Sequence, residues 1–222
     1  MEIVRSRDLG LFAPIYAMEA DEVEGYLEWL HGEHLPRTLV EGSFSAISHY
    51  EAIEAPKRFQ LLEIMPSYSS FHSAGRLEAA KRLPASVAEM MALRLGQVRS
   101  HYAEVSRADG PAASGPGLAI GPAVCLLRFS VALEARPDFN AWLGREHFGE
   151  AANIEGLRSF RRYLAVEGEP KNLLLYEFDS EEALLAGSVE RTWTTPWAEK
   201  ISPSVVHDVN SRVLYRRIWS QG

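Results

Sequence analysis

"WLHGEHL" at residues 29–35 and "WLGREHF" at residues 142–148 carry Trp, Leu, Glu and His in the same relative places. The two stretches stand 113 residues apart, and sliding the chain by that shift extends the match. Trp29, Leu30, Glu33 and His34 fall on Trp142, Leu143, Glu146 and His147; Tyr50 falls on Tyr163, Ser67 on Ser180, Arg99 on Arg212 and Tyr102 on Tyr215. A one-residue adjustment pairs Gly42 with Gly156, and another slip of one pairs Glu63 with Glu177. Agreement kept in order along most of each half predicts a divergent tandem duplication.

One reading then serves both copies. An apolar run, Leu11 to Met18 or Val124 to Val131, predicts a strand buried on both faces. Tyr26, Leu30 and His34 follow at steps of four, as do Phe139, Leu143 and His147, so each set occupies one helix face. Pro137 suits the first turn of the second of these helices. Two strands come next, Ser43 to Tyr50 and Arg58 to Met65, matched by Leu157 to Val166 and Asn172 to Phe178. Their connections, "EAIEAPK" and "EGEPK", have the Pro and charge of hairpin turns. A helical region starting near Ser67 or Ser180 and a strand over Gln97 to Val105 or Ser211 to Ile218 close each copy. The order βαββαβ is ferredoxin-like, an α+β class. Residues 1–106 form the first repeat and 122–222 the second; 107–121, rich in Gly, Pro, Ala and Ser, read as a linker. Strands apolar on both parities predict two sheets packed face to face, a pseudo-twofold α/β barrel with helices outside.

Composition narrows the function classes. The 222-residue chain is 46% hydrophobic and 24% charged, ordinary for a globular protein. A net charge of -7 argues against a nucleic-acid partner, because Arg158, Arg161, Arg162, Arg216 and Arg217 are the only local basic excess. Cys125 is the sole cysteine, which excludes an intrachain disulfide and fits a reducing compartment. "MEIVRSRDLG" does not read as a secretory signal, and the run 110–127 is too broken by Pro and Gly to cross a membrane. A cytoplasmic protein is expected.

The second copy carries "WLGREH", "GLRSFRRY" and "LLLYEF"; the first has "WLHGEHLP", "GSFSAISHY" and "FQLLEI", keeping Glu-His but losing the Arg pair. These motifs resemble the dimeric α/β-barrel superfamily and, within it, EthD-type proteins. That resemblance implies a barrel usually made by two chains, here fused into an intramolecular pseudo-dimer, with a further homodimer left open. It also implies a functionally mixed group: cofactor-free monooxygenases, lactone isomerases, polyketide cyclases and dehydratases, and heme-using relatives.

The candidate catalytic residues are His147 and His34, each with its neighbouring carboxylate, Glu146 and Glu33. An imidazole suits proton transfer at neutral pH, and a carboxylate can hold its tautomer. A histidine in the last turn of a helix, bonding free carbonyls, is the structural alternative. Arg128, Arg162, Tyr163, Tyr50, Trp193 and Trp197 are candidates to line a ligand pocket. An Arg–Glu pair is the plainer reading for Arg128 with Glu177 and Glu63, and aromatic packing the plainer one for the tryptophans. No metal site is expected: His31 and His34 are three apart, not four, and Gly144 replaces His31 in the second copy. No organic cofactor is called for, although heme stays open through the resemblance. The expected function is cofactor-independent chemistry on a hydrophobic or aromatic compound in a barrel pocket. The alternative is a non-catalytic binding or structural protein of the same fold, and packing of the barrel discriminates them.

Overall fold

The computed structural model describes residues 4–5, 8–42, 44–55, 57–73, 78, 81, 83–113, 119–186 and 189–222, with only the backbone of 4–5 and 207–210. In the first half, β1 (Val4–Arg5) precedes β2 (Gly10–Phe12), β3 (Ile15–Ala17), β4 (Ala46–Ala52), β5 (Arg58–Met65), β6 (Leu95–Val98) and β7 (His101–Asp109). The second half contributes β8 (Ala123–Val131), β9 (Leu157–Glu167), β10 (Asn172–Phe178) and β11 (Val205–Gln221). The expected first strand is split because Pro14 cannot donate to a ladder.

Strands β7, β9, β10, β8, β11, β4, β5 and β2 pair in that order, and β2 returns to β7, which closes an antiparallel barrel. Each half has the ferredoxin-like strand order, and the two sheets join along β7–β9 and β11–β4. Most of the ladders repeat at the shift of 113, the β3–β6 end of the first half excepted. Tyr50 lies opposite Gln60, as Tyr163 lies opposite Leu173. Leu11 faces Ile64 as Val124 faces Glu177, and Tyr102 faces Ala165 as Tyr215 faces Ala52. Even the register shifts recur, between Glu104 and Ser106 and between Arg217 and Trp219. This corrects the slip used to match Glu63 with Glu177: Ile64 holds the place of Glu177, and Glu63 that of Tyr176. Side chains alternate across a strand, so Glu63 and Glu177 lie on opposite faces of the barrel wall.

The first helix does not end at Glu-His in either half. It runs as α1 (Val23–Trp29), a π turn (Leu30–His34) and α2 (Leu35–Glu41), and α3 (Ala85–Ala92) follows before β6. The second half has α4 (Arg136–Trp142), a π turn (Leu143–His147) and α5 (Phe148–Ala152), then α6 (Glu181–Ala186) and α7 (Pro196–Ile201). Pro36 supplies a local cause in the first half, since it lacks the N–H that would bond the carbonyl of Gly32. The histidines therefore sit mid-helix, which removes the structural alternative in which they bond the free carbonyls of a helix end. A π turn also changes which side chains meet. Residues five apart on an α-helix point about 140° from each other, whereas the wider turn aligns them. Trp29 stacks on His34 at 4.8 Å between centroids, and Trp142 approaches His147 at 4.4 Å.

The wall separates three cores. Val124, Leu126, Leu173 and Leu175 point into the barrel with Leu11, Leu62, Ile64 and four tyrosines, Tyr50, Tyr102, Tyr163 and Tyr215. Cys125, Leu127, Phe129, Leu174 and Tyr176 face the helices of the second half, and Tyr16, Ile47, Phe59 and Leu61 those of the first. No described helix is long and apolar enough to cross a membrane.

Candidate functional site

Both histidines lie between helices and sheet, on the outer face of the wall, and not toward the barrel interior. Their surroundings differ. His147 is fully buried. Its Nδ1–H donates to the carbonyl of Thr192 at 3.2 Å, and its Nε2 accepts from the Tyr176 hydroxyl at 2.6 Å. Trp193 Nε1–H reaches the same hydroxyl at 3.4 Å, and Trp142, Phe160 and Trp193 surround the imidazole. Burial lowers the pKa of His147 to about 3, so it is neutral at pH 7, and burial raises the Tyr176 phenol. Glu146 does not orient this imidazole; it accepts from Trp142 Nε1 at 3.0 Å and from the Thr195 hydroxyl. With both ring nitrogens engaged, His147 has none to ligate a heme iron, and no group of three or more His, Cys, Asp or Glu that could hold a metal occurs among the described residues.

The first half carries a polar cluster at the equivalent place. His34 Nε2 meets Thr38 Oγ1 only at 3.4 Å, and its Nδ1 is shielded from solvent without a hydrogen-bond partner. Burial, then Arg94 and Arg37, lower His34 to about 4. Arg94, two residues beyond α3, lies over the Tyr16 ring at 4.3 Å, and its Nε–H donates to the Tyr26 hydroxyl at 2.5 Å. Its Nη2 is likewise shielded and unpartnered. From Tyr16 a chain leads outward: the hydroxyl meets His49 Nε2 at 2.8 Å, and His49 Nδ1 meets His31 Nε2 at 2.7 Å. His31 is half-buried and stacked on Trp219. Burial lowers His49 far below the ordinary imidazole range and His31 to about 4, while both tyrosines are raised by burial. Glu33 is exposed and stands outside this cluster.

The barrel interior holds part of the expected pocket lining, but in a packed arrangement. Arg128 donates to the Ala13 carbonyl at 3.0 Å and to Gln60 Oε1, not to a glutamate. The Tyr50 hydroxyl donates to the Gly121 carbonyl at 2.8 Å, and the Gly121 N–H to Glu177 Oε2 at 2.9 Å. The end of the 107–121 segment is thus pinned into the barrel, and its start belongs to β7, which reaches Asp109. Of the adjacent arginines, Arg161 faces inward, 2.6 Å from Glu177 and 3.6 Å from Glu104. Burial opposes its charge, but Glu177, Tyr163 and Glu104 hold its pKa above the usual value. Tyr163 lies beside it, its own ionisation raised by burial. Arg162 faces outward, toward α4. Trp193 packs on His147, and Trp197 Nε1–H donates to Asp138 at 3.2 Å.

The structure thus gathers His34 with Tyr26, Arg94, Tyr16, His49 and His31. It separates them from His147, Trp193 and Trp197, and from the inward-facing Arg128, Tyr50 and Tyr163. Arg94 escaped sequence reading because it lies far along the chain, in "RLGQVRSHY", with no pattern beyond a helix end.

No family model matches the sequence, and no curated protein matches it either. Solved structures share the fold at low identity. An anthrone oxidase-like protein superposes with a TM-score of 0.65 at 12% identity, covering 99% of this chain and 96% of that one. A candidate monooxygenase from Fusobacterium nucleatum gives 0.63 at 11% identity, covering 96% and 94%. A candidate chlorite dismutase gives 0.63 at 12%, covering 95% of each chain. These likenesses establish the double ferredoxin-like barrel and nothing finer.

Proposed function

We propose that the chain is a tandem pair of EthD-like repeats and a small-molecule enzyme whose working site is the first-half cluster around His34 and Arg94, not the barrel interior. The observation that carries this reading is the pair of shielded, unpartnered polar atoms, His34 Nδ1 and Arg94 Nη2, in one cluster. A buried polar group without a partner costs about 1–3 kcal/mol; a ligand carbonyl oxygen would remove that cost at Arg94 Nη2, while the ligand's acidic hydrogen would face the lone pair of His34 Nδ1. The recurrence of most barrel ladders at one shift supports the duplication.

The substrate class is a hydrophobic or aromatic ketone or phenol able to form an enolate. With the proton on Nε2, facing Thr38, the His34 Nδ1 lone pair takes a proton from a carbon next to, or conjugated through a ring with, a carbonyl. The electron pair moves to the carbonyl oxygen, and Arg94 holds the resulting enolate. Burial keeps His34 in the neutral form this step needs. Isomerisation, dehydration, cyclisation and cofactor-free oxygenation can all begin from such an enolate. Trp29, Thr38 and Arg94 are half-buried, and their side of the cluster is the proposed point of entry for a ligand. The second repeat has lost the function: Tyr176 and Thr192 close both nitrogens of His147.

Anthrone is a suitable first probe: its acidic C–H lies across the central ring from the carbonyl, and loss of that proton places the charge on the carbonyl oxygen through the conjugated rings. Exchange of that hydrogen for deuterium, followed by NMR, is expected to accelerate with the wild-type protein. It should fall at least about tenfold in His34→Gln and in Arg94→Gln and stay near wild type in His147→Gln, provided each variant keeps its far-ultraviolet circular dichroism. Undiminished exchange in His34→Gln and Arg94→Gln overturns the assignment.

A further inference from the structure

A cleft of about 230 Å³ opens on the second half, outside the barrel, where the start of α4 overhangs the ends of β9 and β10. It is smaller than the roughly 300–1,000 Å³ of drug-sized pockets. Val131, Phe139 and Leu164 give it an apolar wall, and Arg136, Arg162 and Lys171 supply its charge, with no acidic residue in the lining, although the Lys171 ammonium is paired with Glu169 beyond it at 3.0 Å.

Arg162 is the centre of the site. Its Nη2 donates to Asn140 Oδ1 at 2.7 Å and to Asn172 Oδ1 at 3.2 Å, which fixes the guanidinium over the Phe139 ring. Its Nε is shielded from solvent and has no hydrogen-bond partner. Burial lowers its pKa to about 10, which still leaves it charged at pH 7. A guanidinium held in place by neutral amides, with one donor unused and no counter-charge in the lining, is an anion-binding arrangement. The first half has no copy of it. At the shift of 113, His49 stands for Arg162 and Phe59 for Asn172, and both are fully buried.

We propose that this cleft is a second ligand site, separate from the His34 cluster, that takes a small carboxylate with an apolar body. The carboxylate lies on Arg162, with Lys171 nearby, and the body lies against Phe139, Val131 and Leu164.

The test uses 4-phenylbutyrate and its neutral amide as probes, in calorimetric titration of the full chain. The acid is expected to bind saturably, and the amide at least about tenfold more weakly, as befits a charge-assisted hydrogen bond. Arg162→Lys should weaken the acid by a similar factor, and Lys171→Glu should weaken it further at low salt than at high salt. Leu164→Glu, a substitution on a part-exposed strand residue, should abolish binding even if Arg162→Lys compromises folding. His34→Gln should leave it unchanged, which separates this site from the enzymatic one. Equal binding of acid and amide, no saturable binding of the acid, or undiminished binding to Leu164→Glu overturns the proposal.

Discussion

Two histidines that correspond in the sequence have opposite chemistry because of what their ring nitrogens meet. His147 is saturated by Thr192 and Tyr176, whereas His34 keeps one nitrogen without a partner. Removing the hydroxyl in Tyr176→Phe strands His147 Nε2 and the Trp193 N–H in an aromatic shell. A loss of about 1–3 kcal/mol in urea denaturation is expected; no loss would mean the dyad does not contribute to stability. The depressed imidazoles also set a pH dependence. The unfolded histidine value is about 6.5, and burial places His147 near 3 and His49 well below its usual range. Above pH 6.5 these groups are neutral in both states and add no slope. As pH falls below 6.5 the unfolded chain binds their protons first, so stability drops, by about 1.4 kcal/mol per unit for each histidine. Urea midpoints between pH 7 and 5 should show this decline, and His147→Gln should make it shallower. An unchanged slope would indicate that His147 titrates alike in both states. The sequence marked these histidines as a pair through their spacing. It could not reveal their difference, because the deciding partners, Arg94 for one and Thr192 and Tyr176 for the other, are remote in the chain.

The π turns are the element that sequence periodicity missed. Steps of four from Tyr26 to His34 and from Phe139 to His147 fit an α-helix, but the backbone widens by one residue at Leu30–His34 and Leu143–His147. The extra residue brings the Trp and His five positions apart into ring contact and turns the imidazole to the sheet. Gly144 lies within one π turn, where an added Cβ meets nothing within 4 Å. Gly144→Ala is therefore expected to be neutral or to stabilise by up to about 1 kcal/mol through helix propensity. Deleting Gly144 should restore α-helical spacing, rotate His147 away from Tyr176 and lower the thermal midpoint sharply. Equal stability of the deletion variant would show that the widened turn has no role in placing His147. The strands were easier to read: β5 and β10 coincide with the apolar runs Arg58–Met65 and Asn172–Phe178, because short runs apolar on both parities suit strands covered on both faces.

At the scale of the molecule, one shift of 113 residues organises the barrel, and packing decides where function can lie. An apolar pattern on both strand faces correctly predicted two facing sheets. It was silent on volume, and so left the interior open as a pocket. Four tyrosines and the Arg161–Glu177–Glu104 cluster occupy that interior. Glu177→Ala, which leaves Arg161 with a weakened set of counter-charges, should cost about 3–5 kcal/mol in denaturation experiments, as expected for breaking a buried pair. A loss well under 1 kcal/mol would mean that Arg161 is not stabilised by this pair. The proposed function lies on the outer face of the wall, divided unequally between the halves. Ring-nitrogen NMR of the protein labelled with 15N-histidine, followed as anthrone is added, tests that division. The His34 Nδ1 signal should shift on binding, while His147 should keep its proton on Nδ1 and remain unmoved by ligand. A ligand-induced shift at His147 with His34 unchanged would contradict the assignment of the working site to the first half.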